Sequence, residues 1–145
     1  MANRRQGSRK AVMDAEDLHR GRCNQLGGII LDAAITVHRE LGPGLLESAY
    51  ELAMARELQL RGLFVRKQVP VELKYKQISL GKAYVMDILV EDLIIIEVKS
   101  VETLAPIFEA QLITYLKLAD KHLGYLINFN VPLVKDGFRR IVHNF

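Results

Sequence analysis

Asp87 and the triplet Glu97-Val98-Lys99 are the residues of this chain best suited to chemistry. Both stretches lie in short, β-branched runs that predict strands. A strand alternates its faces, so Glu97 and Lys99 point one way while Ile96 and Val98 point the other. A carboxylate and an ammonium on one face of an apolar strand are costly unless they are paired, solvated or bound to a metal. Asp87 lies on the preceding strand. If the two strands form a hairpin, the three groups can meet at one edge of a sheet. Two adjacent carboxylates repel, and a divalent cation relieves that repulsion. Oxygen donors without His or Cys suit Mg²⁺ or Mn²⁺ better than zinc. A lysine beside such an ion can orient a water or stabilise charge on an attacked phosphate.

The hairpin must satisfy a parity condition. A two-residue turn at Glu91-Asp92 would oppose Asp87 to Ile96 and put Asp87 and Glu97 on opposite faces. A shared site requires an odd loop or a bulge, such as a three-residue turn Glu91–Leu93 that opposes Asp87 to Glu97. The metal-site reading therefore predicts that register.

The surrounding elements follow from periodicity. Ile30, Ala33, Ala34, Val37 and Leu41 recur at helical spacing and predict a helix over 26–41, ended by Gly42-Pro43-Gly44. A second helix is predicted over 45–61, with Leu46, Tyr50, Ala53, Met54 and Leu58 as its apolar positions and Gly62 as its stop. Strands are predicted at 63–67, 69–75, 78–80, 84–90 and 93–99, with a turn at Lys76-Gln77. Pro106 opens a helix reaching Asp120. Residues 124–128 form an apolar, interior strand, and 138–142 a further one at an edge. The order α, α, β, β, β, α, β, (β) defines an α/β domain with a mixed sheet flanked by helices.

Composition sets the outer bounds. The chain has 145 residues, 50% of them hydrophobic, which suits one globular domain and excludes a disordered chain. The net charge is +3. Residues 1–22 hold six Lys/Arg and three acids, so the whole excess lies there, and residues 23–145 hold 14 of each sign. The expected organisation is a flexible basic arm over 1–25, followed by a single domain over 26–145. A lone cysteine, Cys23, suits a reducing cytoplasm. No segment reads as a secretory signal or a bilayer span, so no membrane association is expected.

The pattern Asp87…Glu97-Val98-Lys99 resembles the D…(D/E)xK signature of the PD-(D/E)XK nuclease superfamily. Gly44-Leu-Leu-Glu47-Ser-Ala-Tyr50 resembles the motif of its GxxExxY branch. Further similar segments are residues 37–44, Gln68-Val69-Pro70-Val71, Gln111-Leu-Ile-Thr-Tyr115 and residues 126–132. The resemblance implies a restriction-endonuclease-like αβββαβ core with an extra N-terminal helix. It implies that Asp87 and Glu97, with Glu47, bind Mg²⁺ or Mn²⁺, that Lys99 assists catalysis, and that Gln111 and Tyr115 lie beside the site. The implied activity is metal-dependent hydrolysis of phosphodiester bonds in nucleic acid, by analogy DNA. The alternative is a nuclease-fold module that binds nucleic acid or a protein partner in a regulatory role without turnover. The residue two positions before the aspartate is often basic in similar sequences but is Val85 here.

Simpler roles stand beside these. Glu47 suits a helix start. Tyr50 suits the core, its hydroxyl free to hold a ligand carboxylate. Gln111 and Tyr115 share a helix face and could simply pack. Lys99 could salt-bridge Glu97, and His38 reads as structural. The balanced charge of 23–145 calls for a polarised surface, a homodimer that merges small basic patches, or help from the arm, because duplex binding is largely phosphate neutralisation.

Overall fold

The computed structural model describes residues 14–145. Two helices, α1 (Ala15–Leu41) and α2 (Glu47–Leu60), precede three strands: β1 (Val65–Tyr75), β2 (Ile78–Val90) and β3 (Ile94–Lys99). Helix α3 (Pro106–Ala119) crosses to β4 (Leu123–Asn128), and a short 3-10 helix (Val134–Gly137) leads into β5 (Phe138–Val142). The sheet order is β1-β2-β3-β4-β5. Only β3 and β4 pair in parallel, joined by α3, and the other neighbours are antiparallel.

The core forms two layers. One face of the sheet presents Ile88, Val90, Ile94, Ile96, Val98, Tyr125 and Ile127 to α1 and α2. The other presents Leu89, Ile95 and Leu126 to Leu112, Tyr115 and Leu116 of α3. Both faces of β3 and β4 are therefore covered. This is why these strands read as continuous apolar runs rather than alternating ones.

The first helix is longer than its periodicity predicts. It begins at Ala15, capped by Asp14 accepting from the Asp17 N–H at 2.8 Å. Residues 15–25, expected as part of a flexible arm, are thus helical, and Cys23 joins the core. Gly21, Gly27 and Gly28 weaken the sequence signal there. Gly27 is a packing requirement, since the Tyr125 hydroxyl occupies the place a Cβ would take. Residues 1–13 of the expected arm lie outside the described residues.

Helix α2 is fixed at both ends. The Tyr50 hydroxyl donates to the Gly42 carbonyl at 2.5 Å and accepts from the Leu45 N–H at 3.1 Å. Its ring stacks on Phe129 with centroids 4.6 Å apart. At the other end Arg61 pairs with Asp32 and Glu57 and bonds the Thr36 hydroxyl, tying α2 to α1.

The strands predicted at 63–67 and 69–75 form one strand, as do those at 78–80 and 84–90. The apparent breaks are bends within continuous strands. Gln68 has φ of 51° and Gly81 has φ of 94°. The register is the same on either side of Gln68, with Lys67 opposite Ile88 and Val69 opposite Met86. Yet Val65 and Ile88 pack on the α1/α2 side, whereas Val69 and Met86 pack on the α3 side. The β1–β2 ribbon therefore changes face at Gln68 and Asp87, which a uniform alternation rule cannot anticipate.

Candidate metal centre

The parity condition is met. Val90 opposes Ile94, Leu89 opposes Ile95 and Ile88 opposes Ile96, around a three-residue turn Glu91–Leu93. Glu91 and Asp92 adopt left-handed backbone conformations, with φ of 53° and 54°. Glu91 and Phe64 hold this turn through two bonds: the Glu91 N–H to the Phe64 carbonyl at 2.8 Å, and the Phe64 N–H to the Glu91 carboxylate at 3.2 Å. Arg22 of α1 pairs with the same carboxylate at 2.9 Å.

Continued by one residue, this register sets Asp87 against Glu97. The regular ladder stops there and two side chains replace it. The Asp87 N–H donates to Glu97 Oε1 at 3.0 Å, and the Val98 N–H donates to Asp87 Oδ2 at 2.9 Å. Each carboxyl thus satisfies a backbone donor left over where β2 diverges from β3. Each also keeps one oxygen, Oδ1 of Asp87 and Oε2 of Glu97, without a backbone donor.

Burial makes this pair electrostatically unstable as two full charges. Glu97 is only 7% exposed. Its burial, and then the charge of Asp87, push its carboxyl up to about 8. Asp87 is also raised by burial, partly offset by the Val98 N–H. Two hard carboxyl groups on adjacent strands, within side-chain hydrogen-bond reach of each other and each disfavouring its own charge, are a donor set that fits a divalent cation.

Lys99 is two positions along β3 from Glu97 and follows it on the α3 side. Among the described residues it forms no salt bridge with Glu97. Its ammonium instead lies 4.6 Å from the centre of the Phe108 ring of α3. The end of β3 is held by its neighbours. The Ser100 hydroxyl donates to the Leu45 carbonyl at 2.6 Å, which brings the start of α2 to this end of the sheet. Asn128, opposite Lys99 on β4, exchanges hydrogen bonds with the N–H and carbonyl of Val101 at 3.1 and 2.9 Å.

The remaining predicted residues fall into two groups. Tyr115 is buried on α3, and its phenol is raised by burial and then by the charges of Glu97 and Asp87. It stands in the electrostatic field of the pair. Glu47 is exposed at the first residue of α2 and reaches Asp87 only through its charge. Gln111 is exposed on α3 and makes no hydrogen bond among the described residues. Among the described residues, no three His, Cys, Asp or Glu side chains gather into a cluster able to hold a metal. Glu47, exposed at the helix start, stands apart from the other two carboxyls. Tyr50 holds the Gly42–Leu45 loop rather than a ligand carboxylate. His38 is structural, its Nε2 lying 2.8 Å from the Val131 carbonyl oxygen.

Sequence reasoning missed Glu51 and met Gln68 only as the first residue of a similar segment, with no role at the site. The Gln68 amide donates to Glu51 Oε1 at 2.6 Å. Burial raises the Glu51 carboxyl, Gln68 counters that, and Asp87 adds to it. Gln68 occupies the register position facing Asp87, so Gln68, Asp87 and Glu97 form one row across β1, β2 and β3. Glu51 follows Glu47 by one helical turn, a spacing that could have marked it.

The chain belongs to the PD-(D/E)XK nuclease superfamily, whose family profile matches residues 24–141. The mixed five-stranded sheet flanked by three helices is consistent with that fold. Members of the superfamily generally use divalent metals. No curated protein and no solved structure matches the chain significantly. Among the described residues, no helix is long and apolar enough to cross a membrane.

Proposed function

We propose that this chain is a divalent-metal-dependent nuclease that hydrolyses phosphodiester bonds of DNA. The observation that supports this most is the Asp87–Glu97 pair, braced by reciprocal bonds to backbone N–H groups, with Lys99 on the same strand. Asp87 and Glu97 would hold Mg²⁺ or Mn²⁺, with Glu47 as a further carboxylate at the start of α2. When bound, such an ion polarises a phosphodiester and lowers the pKa of a bound water. Lys99 stabilises negative charge developing on the attacked phosphate or orients the water. Tyr115, kept as a neutral phenol, offers a hydrogen-bond donor beside the pair. Gln111, one turn away on the same helix, orients the substrate. The expected site of action is the cytoplasm.

The test is an assay with single-stranded, duplex and branched DNA and with RNA, in Mg²⁺ and Mn²⁺, comparing wild type with Glu97→Gln. Cleavage by wild type that falls at least ~100-fold in the variant supports the assignment, on the scale of losing an electrostatic stabiliser. Cleavage that survives the substitution rejects it.

A second reading is a nuclease-fold module that binds nucleic acid or a protein partner without turnover. One observation favours it: both carboxyls are already engaged by backbone donors, and Glu47 is not gathered with them. It predicts metal- and Glu97-dependent stabilisation with no cleavage of any of these substrates. The basic segment ahead of α1 is proposed to add affinity for nucleic acid. Its deletion should stop at residue 13, because α1 already contributes Cys23 and Leu26 to the core.

A further inference from the structure

The described part of the chain is nearly neutral, but its charge is not evenly spread. The segment 65–85, most of the β1–β2 ribbon, carries Arg66, Lys67, Lys74, Lys76 and Lys82 against the single acid Glu72, a net +4. Because residues 23–145 balance, everything else in that stretch carries the opposite excess. The polarised surface that duplex binding calls for is therefore concentrated on one element.

That element also has the right shape. β2 pairs with β3 only over Ile88–Val90, so beyond Asp87 it pairs with β1 alone. β1 is the edge strand of the sheet. The outer ribbon is a two-stranded arm, roughly 25–30 Å long at about 3.3 Å per residue, whose base packs on α3 through Val69, Val71 and Met86 and whose tip stands clear of the core. Its tip is closed by Lys76 and Gln77, both left-handed. The tip exposes large apolar side chains, with Tyr75 at 60%, Ile78 at 65% and Leu80 at 58%. Tyr84, further down the ribbon, is half-exposed, and its ring centre lies 5.8 Å from that of Tyr115. The arm thus departs from the sheet at the candidate centre: Asp87 is the residue at which the ribbon begins.

We propose that the β1–β2 ribbon is the arm that docks duplex DNA, lying in its major groove and presenting the backbone to the Asp87–Glu97 centre. A two-stranded ribbon fits the roughly 12 Å width of that groove. Lys74, Lys76 and Lys82 neutralise flanking phosphates, and the apolar tip packs against sugars and thymine methyl groups. Charge complementarity favours this occupant over a second copy of the chain, whose +4 ribbon would repel its twin. The inference rests on the nuclease reading for its consequence, cleavage, but not for its binding test.

The experiment measures binding of fluorescein-labelled duplex and single-stranded DNA in EDTA over a series of salt concentrations. It uses full-length wild type, Lys74→Gln/Lys76→Gln/Lys82→Gln, and a matched control, Arg39→Gln/Lys135→Gln/Arg139→Gln, with folding of each checked by circular dichroism. Removing one phosphate-neutralising cation flattens the slope of log K against log salt by about 0.9. The ribbon variant should therefore lose about 2–3 in slope on duplex and bind it at least ~10-fold more weakly at low salt. The control should change neither by a comparable amount. Equal loss in both variants, or an unchanged slope in the ribbon variant, overturns the proposal. So does tighter binding of single strands than of duplex by wild type, or a dimer that Tyr75→Ser/Ile78→Ser converts to monomer with DNA binding intact. Parallel cleavage assays separate the two readings. Lysine-dependent duplex binding without cleavage keeps the arm and removes the nuclease, and Glu97-dependent cleavage with an unchanged ribbon-variant slope does the reverse.

Discussion

Replacing Glu97 with Gln should stabilise the metal-free protein, and the gain should grow with pH. Glu97 titrates near 8 in the fold against an ordinary value of 4.5. Because the folded value is raised, the fold favours the protonated acid. Stability is fully present below about pH 4.5 and is lost as pH rises through about 8. At pH 7 the cost approaches about 2.5 pH units of linkage, an upper bound of about 3.5 kcal/mol at roughly 1.4 kcal/mol per unit. Sharing of the titration with Asp87 makes about 2 kcal/mol a working value. Gln keeps an oxygen to accept the Asp87 N–H and never ionises. In EDTA, thermal unfolding followed by circular dichroism should give nearly equal midpoints at pH 5. Glu97→Gln should be higher by roughly 5–8 °C at pH 7, on the scale expected for a domain of this size. At pH 9 the gap should widen. Millimolar Mg²⁺ or Mn²⁺ should raise the wild-type midpoint and close the gap, since a ligand that binds only the folded state stabilises it. A variant midpoint equal to or below wild type at pH 9 in EDTA would refute the account of a buried pair that disfavours its own charge.

Three further outcomes test the scaffold. Tyr50→Phe keeps the stack on Phe129 but removes the donor to Gly42 and the acceptor for Leu45. It should cost about 1–2 kcal/mol in urea unfolding, and a loss below the error of the measurement would show that the loop holds without it. Gly27→Ala drives a methyl into the Tyr125 hydroxyl. It should cost about 1–3 kcal/mol, as overpacking does, and the double variant with Tyr125→Phe should recover part of that loss. Asn128→Ala leaves the N–H and carbonyl of Val101 without partners. A loss of about 2–3 kcal/mol is expected, together with faster hydrogen exchange at Val101 and Ser100, and unchanged exchange there would contradict it.

The fold was legible where one physical rule dominates. Buried strands such as β3 and β4 announce themselves by apolar density, and α3 by Pro106 and its spacing. The odd turn at Glu91–Leu93 followed from requiring two carboxyls to share a face. Where rules compete, the sequence misleads. The glycines of α1 dilute its periodicity, although one of them exists to admit Tyr125. β1 reads as two strands because its face changes at Gln68, and that change is a property of the paired ribbon rather than of either strand alone. Glu47 stands at the spacing that the resemblance singles out, yet it is exposed at the first residue of α2. Glu51 was invisible for the opposite reason, and Gln68 stood out only within a similar segment: neither residue type is unusual, and only the pairing of β1 with β2 sets Gln68, and Glu51 with it, beside Asp87.

The same pairing explains why the candidate centre lies where it does. At the Asp87–Glu97 position the N–H groups of Asp87 and Val98 are satisfied by side-chain carboxyls rather than by carbonyls of a regular ladder. β2 leaves β3 on the Asp87 side of Ile88, and there two carboxyls on opposing strands are the acceptors within reach. The divergence also releases the outer ribbon from the sheet. One bend therefore creates three things together: backbone donors that orient Asp87 and Glu97, a buried pair short of positive charge, and a basic arm that begins at that pair. An arm built elsewhere on the sheet would need a separate device to deliver a phosphate to Glu97. Here the strand carrying Asp87 is also the strand carrying Lys82, so on the proposed reading a duplex docked on the ribbon would be registered on the centre by the covalent chain itself.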